Sequence, residues 1–348
     1  MKIGTVELDR PFALAPMAGM TDTAFRRLVK RRGGCGLVVT EMVSSEGLVR
    51  GIDRTLEYAE YTEEERPVSI QIFGGNPETM AAAAQVVEAM GADIIDINMG
   101  CPVRKIAKHN AGCSLMREPT HAASVVRAMT DAVRVPVTVK MRAGWDEQAV
   151  NAPLMARMME DAGASAVAVH GRTAKQSYKG VSDWELIDEV AGGVQIPVFG
   201  SGDCVTPEHV VTRIVDTRVQ GVLVGRGALR NPWIFKQAQA LRSGETLPDV
   251  TSAERGLFLL EYIDLLMREG VDEDPGFRHA APGSHVRESR GERSRQSHER
   301  WVVNKLRALG SWYTKGLHGG SQLRTAINAA ESVAALRDII DDFFFHHH

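Results

Sequence analysis

The chain has 348 residues, 44% hydrophobic and 24% charged, with a formal net charge of −3 at pH 7. The length exceeds one small domain and suits a barrel with an appendage, and the composition is that of an ordinary soluble globular protein. The slight negative charge argues against non-specific nucleic-acid binding by the whole surface, while leaving local patches open. Cys35, Cys101, Cys113 and Cys204 are scattered, with no C-x-x-C pair and no zinc-like spacing. That pattern disfavours a disulfide framework or a metal site and suits a reducing cytosol. The N-terminus lacks a signal-peptide stretch and no apolar run approaches the ~20 residues that span a bilayer, so a cytoplasmic location is expected. The terminal run Phe343-Phe344-Phe345-His346-His347-His348 is set aside as either native sequence or an added tail.

From residue 12 to about 225, short apolar runs alternate with helical patterns. The runs are Phe12–Pro16, Leu37–Glu41, Val68–Phe73, Asp93–Asn98, Pro136–Met141, Ala166–His170, Ile196–Gly200 and Gly221–Gly225. They are rich in Val, Ile and Leu and apolar on both faces, as parallel strands buried on both sides must be. Helical patterns lie between them at Thr23–Arg31, Pro77–Met90, Thr120–Ala132, Ala149–Ala162, Trp184–Val190 and Pro207–Val215. Asn76-Pro77 and Thr206-Pro207 each place a capping side chain before a proline at the first turn. Eight strand–helix units in ~230 residues predict an α/β fold, a closed (β/α)8 barrel. A doubly wound open sheet would want G-x-G-x-x-G after the first strand, where the chain reads Pro16-Met17-Ala18-Gly19-Met20.

Past residue 235 the strand signals stop. Helices are predicted at Arg255–Arg268, Trp301–Tyr313 and Gln322–Ile340, giving residues 241–348 as a helical domain after a barrel over residues 1–240. Gly276 to Glu299 is rich in Arg, Ser, His, Gly and Pro and reads as a mobile loop. Arg278 to Arg324 holds ten Lys/Arg against three acids, a local +7. Such a stretch is either a solvated face or a nucleic-acid contact.

A barrel of this kind builds its active site at the carboxyl ends of its strands. Those ends read Pro16-Met17, Glu41, Gln71, Asn98 with Cys101, Lys140 with Arg142, His170, Ser201-Gly202-Asp203 and Gly225-Arg226. The last two groups carry glycines that let backbone N–H groups approach a ligand, at the usual phosphate corner, and Arg226 adds a charge there. The other reading is a pair of tight turns. Lys140 ends an apolar strand and needs a partner, either Glu41 or an anionic cofactor such as a reduced flavin. Gln71 offers a donor and an acceptor to a flavin edge, and His170 can bond a phosphate or a ring oxygen. Cys101 follows the fourth strand in Asn98-Met99-Gly100-Cys101-Pro102, where glycine and proline force a turn that presents the thiol. Protonated at neutral pH, it can serve as an acid; as a thiolate, a nucleophile; or it is a packing residue, as Cys113 reads.

At these residues the chain resembles the tRNA-dihydrouridine synthases, in particular their bacterial B-type branch. The motifs are Leu14-Ala15-Pro16-Met17-Ala18-Gly19-Met20-Thr21-Asp22, Asp96-Ile97-Asn98-Met99-Gly100-Cys101-Pro102, Val169-His170-Gly171-Arg172-Thr173 with Tyr178 and Asp183-Trp184, and Gly225-Arg226-Gly227-Ala228 with Asn231-Pro232-Trp233. The likeness covers residues 3 to 240 and extends loosely to Trp312-Tyr313-Thr314-Lys315-Gly316 and Leu323-Arg324. It implies FMN as bound cofactor, NADPH as co-substrate and uridine in tRNA as substrate. A monomer with no membrane contact is the default expectation. Pro16, Met17, Ala18, Gln71, Lys140, His170, Ser201, Gly202, Asp203, Gly225 and Arg226 would hold FMN. Cys101 would be the catalytic acid, with Asn98, Arg142 and Tyr178 as substrate contacts. One departure is Ser201 where the family carries Asn. The competing expectations are a dihydroorotate-type dehydrogenase of a free pyrimidine, which needs no basic helical tail, and a non-catalytic RNA-binding protein on a flavin barrel, which needs no intact Cys101, Lys140 and His170.

Overall fold

The computed structural model describes residues 1–107, 110–269, 273–274, 276–281 and 295–346. Its centre is a barrel of eight parallel strands, β1 (Phe12–Leu14), β2 (Leu37–Val39), β3 (Val68–Phe73), β4 (Ile94–Met99), β5 (Val137–Arg142), β6 (Ala166–His170), β7 (Val198–Ser201) and β8 (Gly221–Val224). Each pairs with its neighbour in chain order, and β8 pairs with β1 to close the ring. The predicted strands are recovered within about two residues at either end. Their apolar character on both faces reflects burial between the barrel interior and an outer helical layer.

That layer comprises α1 (Thr23–Arg32), α2 (Pro77–Ala89), α3 (Pro119–Ala132), α4 (Ala152–Asp161), α5 (Trp184–Gly192), α6 (Pro207–Asp216) and α7 (Ile234–Arg242). The helix starts are set by local chemistry. Asp22, Asn76 and Thr206 each accept a hydrogen bond from the backbone N–H three residues on, and Pro77 and Pro207 occupy the first turn.

The C-terminal region is helical: α8 (Ser252–Arg268), α9 (Arg295–Tyr313), α10 (Gly320–Ala329) and α11 (Val333–Asp341). It shares one continuous apolar core with the barrel. Phe25 of α1 meets the α8 rings of Phe258 and Tyr262 edge-on at 6.1 and 6.3 Å, and Phe258 stacks on Tyr313 of α9 at 5.5 Å. Helix α7 runs across the expected boundary at residue 240.

Four expectations for the tail need correcting. The single helix expected at Gln322–Ile340 is two, because the Ser332 hydroxyl accepts from the Ala335 N–H at 3.1 Å and starts a new helix. Residues 295–299 of the expected loop are the first turns of α9. Arg278–His279 form a short strand antiparallel to Tyr61–Thr62, so strands do not stop at residue 235. Phe344, set aside with the terminus, is buried and packs against Gly256. The remainder of that loop, 282–294, lies outside the described residues. No helix among the described residues is long and apolar enough to cross a membrane.

Phe258→Ala should destabilise the whole chain by about 3–5 kcal/mol, the usual cost of emptying an aromatic core site. Urea unfolding followed by far-ultraviolet circular dichroism and tryptophan fluorescence tests this; an unchanged midpoint would show that barrel and tail do not depend on a common core.

Candidate active site

Side chains two apart on a strand face the same way. That rule brings Gln71, Asp96, Asn98, Thr138, Lys140, Arg142 and His170 to the carboxyl half of the barrel interior. Register fixes who meets whom: Gln71 lies beside Asp96, Asn98 beside Lys140, and Arg142 beside His170.

A buried polar group must find a partner, and here the partners form a chain. Thr138 Oγ1 donates to Asp96 Oδ1 at 2.6 Å, and Gln71 Nε2 donates to Asp96 Oδ2 at 2.6 Å. Asn98 Nδ2 donates to Gln71 Oε1 at 2.7 Å. Asn98 Oδ1 then accepts from the N–H groups of Gly100 and Cys101 at 3.1 and 2.9 Å. The turn carrying Cys101 is thus tied to strands β3, β4 and β5. Arg142 holds its other side, with Nε donating to the Gly100 carbonyl at 2.7 Å and Nη1 to the carbonyls of Thr173 and Ser177, both at 3.1 Å. These bonds make Arg142 a support of the Cys101 turn first, with less of its guanidinium left for substrate than expected. Cys113, buried, donates its N–H to the Cys101 carbonyl at 3.1 Å and packs as the sequence suggests.

Burial pushes the Cys101 thiol above its ordinary range, against a bond from the Val103 backbone and the nearby cations Arg142 and Lys140. Cys101 is only half-buried, and its thiol stays protonated at neutral pH. Lys140 makes no hydrogen bond or salt bridge to a described residue. Burial and Arg142 bring its ammonium down to about 8, while Asp96 and Cys101 oppose the shift. Beneath it is a cavity of about 30 Å³ bounded by Pro16, Asp96, Thr138 and Lys140, room for one water. The alternative partner for Lys140, Glu41, is taken by Lys305 of α9 at 3.6 Å.

His170 Nδ1 accepts from the Arg172 N–H at 3.2 Å, which leaves Nε2 to carry the ring proton. Burial, then Lys140, Arg142, Arg172 and Arg226, push this imidazole down to about 2. It is neutral at physiological pH, and Nε2 carries the proton it has to donate.

The phosphate-type corner follows. Gly202 has φ 125°, and a Cβ there would overlap the Ser182 hydroxyl, so only glycine fits. Asp203 holds φ 55°, uncommon for a residue with a side chain, and its carboxylate is bound three ways. Arg172 Nη2 reaches it at 2.9 Å, the Ser182 N–H at 2.8 Å and Arg226 Nη2 at 3.3 Å. Asp203 therefore acts as an anchor for two arginines. Arg226 also lies over the ring of Tyr178, 5.2 Å from its centroid, and Tyr178 is 64% exposed. Ser201 Oγ donates back to the Leu223 carbonyl at 3.1 Å, so its hydroxyl hydrogen is spent inside the sheet. Gly225 sits against Met17 and Ala15, which brings the first and last strand ends together. Pro16 and Met17 are half-buried at that seam and Ala18 is exposed.

Three members of this site carry no role in the sequence reading. Asp96 was legible as a second polar residue two before Asn98 on one strand face. Arg172 and Ser182 hold Asp203 from the β6–α5 connection, and only the short spacing after His170 hints at it. The Nη1 of Arg172 is buried with no hydrogen-bond partner among the described residues, a donor left over at this corner.

Among solved structures, 2-naphthoyl-CoA reductase matches with a TM-score of 0.53 at 13% identity, over 76% of this chain and 55% of that longer one. Morphinone reductase matches with a TM-score of 0.51 at 12% identity, over 72% of this chain and 90% of that one. At such identities the likeness is one of fold, the (β/α)8 barrel. The particular family is shown by sequence: the dihydrouridine synthase (Dus) profile matches residues 13–344, and the chain belongs to that family. Its relatives include a probable tRNA-dihydrouridine synthase of Rickettsia bellii, 36% identical over 99% of this chain and 98% of the relative. The tRNA-dihydrouridine synthase B of Xanthomonas campestris is 36% identical over 99% and 96%, and that of Pseudomonas aeruginosa 42% over 76% and 79%.

The unfolded chain's histidine takes up a proton near pH ~6.5, whereas folded His170 does not until about pH 2. Stability from this group is therefore complete above ~6.5 and is lost as pH falls, by about 1.4 kcal/mol per pH unit. His170→Gln should flatten the fall by that amount in urea titrations at roughly pH 7, 6 and 5; an unchanged slope would place a charged imidazole in the folded site.

Proposed function

We propose that this protein is a tRNA-dihydrouridine synthase, reducing the C5=C6 bond of uridine in tRNA with FMN as bound cofactor and NADPH as reductant. The observation that carries the reading is a protonated thiol facing a cationic, phosphate-ready barrel mouth in a chain of the dihydrouridine synthase family.

The residues present fit the cofactor. Lys140 is a half-buried ammonium without an ion-pair partner among the described residues, suited to the anionic edge of a reduced flavin ring. Arg172 keeps a buried donor unpaired among the described residues beside the Gly202 turn, and Arg226 stands with it, suited to a terminal phosphate. Pro16, Met17, Ala18 and Gly225 would line the ring side, and Gln71 would face its polar edge. When bound, FMN supplies the hydride for C6 of uracil.

The chain's own groups do the rest. Cys101 delivers its proton to C5, and water restores the thiol. The Asn98 side chain keeps the turn in register, so the sulfur is placed before the base arrives. His170, neutral and donating from Nε2, polarises an oxygen without adding charge. The base must leave the tRNA stack at a cost of a few kcal/mol. Tyr178, exposed and backed by Arg226, offers a platform at the rim on which it or a neighbouring base can stack.

Residues 241–348 would dock the tRNA backbone, though with fewer charges than the sequence count suggests. Arg278 is buried among Glu60, Glu269 and Glu273, Lys305 is buried on acids, and Arg307 donates to the Ala330 carbonyl at 2.8 Å. Positive charge remains at the seam with the barrel. Lys315 is exposed there, and slight desolvation with the nearby cations Arg230, Arg324 and Arg226 lowers its ammonium below the usual range, a grouping suited to a phosphate.

Cys101→Ala should purify yellow, with wild-type flavin content, yet form no dihydrouridine in tRNA that lacks it, as read by mass spectrometry of nucleosides. Normal product from that variant would remove Cys101 as the acid, and a colourless wild type would remove the flavin.

A further inference from the structure

The loop between β1 and α1, which carries Met17 and Ala18, is not held by packing at its tip. Gly19 is exposed, has φ 79°, and has no atom within 4 Å of where a side chain would begin. It is held by hydrogen bonds on both sides of one residue. Its N–H donates to the Glu41 carboxylate, and its carbonyl accepts from Lys305 Nζ at 3.2 Å. Lys305 also lies 2.9 Å from Asp22 Oδ2 and 3.6 Å from Glu41 Oε1. Asp22 ends the loop, caps α1 through the Phe25 N–H at 2.9 Å, and accepts from the Tyr262 hydroxyl of α8 at 2.7 Å.

We infer that Lys305 is a positioning residue for the cofactor, carried by the tail yet setting the conformation of the Met17–Gly19 loop at the barrel mouth. The inference rests on the FMN reading above. Two nearly buried carboxylates, Asp22 and Glu41, face a single ammonium that is itself largely buried. Taking that cation away leaves two close acids without the ammonium that bridges them among the described residues, and besides the Gly19 bond to Glu41 the loop keeps only its own turn bonds between Met17 and Thr21. The tail that would meet tRNA and the loop that would meet FMN are thereby joined through one side chain. Cofactor binding and tail docking should then favour each other.

The test is FMN titration into flavin-free protein, followed by quenching of flavin fluorescence. Lys305→Met should weaken FMN binding about tenfold, in line with losing charge-assisted bonds that fix the loop. Lys305→Arg, which keeps the charge, should recover most of it. Arg32→Ala serves as control, because it breaks the pair with Glu261 and the contacts with Trp233 and Phe258 across the same barrel–tail seam. It should lower the melting temperature and leave FMN affinity unchanged. If Lys305→Met proves insoluble, Lys305→Gln replaces it with the same expected direction. Wild-type FMN affinity in folded Lys305→Met or Lys305→Gln overturns the inference, as does equal weakening by Arg32→Ala. A wild type that takes up no FMN overturns the cofactor assignment beneath it, a distinct result visible before any variant is made.

Discussion

One buried side-chain amide, that of Asn98, organises the mouth of this barrel. Its nitrogen donates to Gln71 and its oxygen accepts the N–H groups of Gly100 and Cys101. Gln71 is fixed in turn by Asp96, and Asp96 by Thr138. The result is a hydrogen-bonded chain across three neighbouring strands that ends at a presented thiol. A buried network of this kind is stable only when every member is satisfied, because an unpaired amide or carboxylate in a low dielectric costs more than its bond returns. The position of the Cys101 sulfur is therefore a property of the sheet and not of a free loop.

The second constraint is charge. Lys140, Arg142, Arg172 and Arg226 converge on the mouth, and Asp96 and Asp203 face them. Asp203 absorbs two of these cations, and Asp96 is occupied by neutral donors. His170, which could have added another charge, is held neutral by the same cations and by burial. What is left is a surplus of donors with one ammonium unpartnered among the described residues, an arrangement that favours an anionic ligand, while the cysteine stays a thiol chiefly through desolvation. A thiol suits proton donation opposite a hydride source; a site meant for nucleophilic attack would lower the pKa instead.

The strands were legible because burial on both sides leaves an unbroken apolar run, and two helix starts because Asn76 and Thr206 are capping residues set before a proline. Strand ends then delivered Gln71, Asn98, Cys101, Lys140 and His170 to one place. What sequence could not show were pairings made at a distance. Lys305 meets Gly19 across 286 residues, and nothing near either residue announces it. Arg278 counts as a surface cation by composition and is buried among acids. Arg226 and Asp203 each look like ligand groups until seen bonded to one another. The break between α10 and α11 hides inside a continuous apolar pattern, since Ser332 caps the second helix without interrupting the period.

On this reading the barrel mouth passes reducing equivalents to a base in folded RNA. The most direct test is a single turnover without oxygen: reduce the purified flavoprotein with NADPH, remove excess nucleotide, and add a tRNA transcript while recording the flavin spectrum. The flavin should reoxidise on adding tRNA, dihydrouridine should appear in equimolar amount, and free uridine or orotate should have little effect. Reoxidation by orotate with none by tRNA would contradict it.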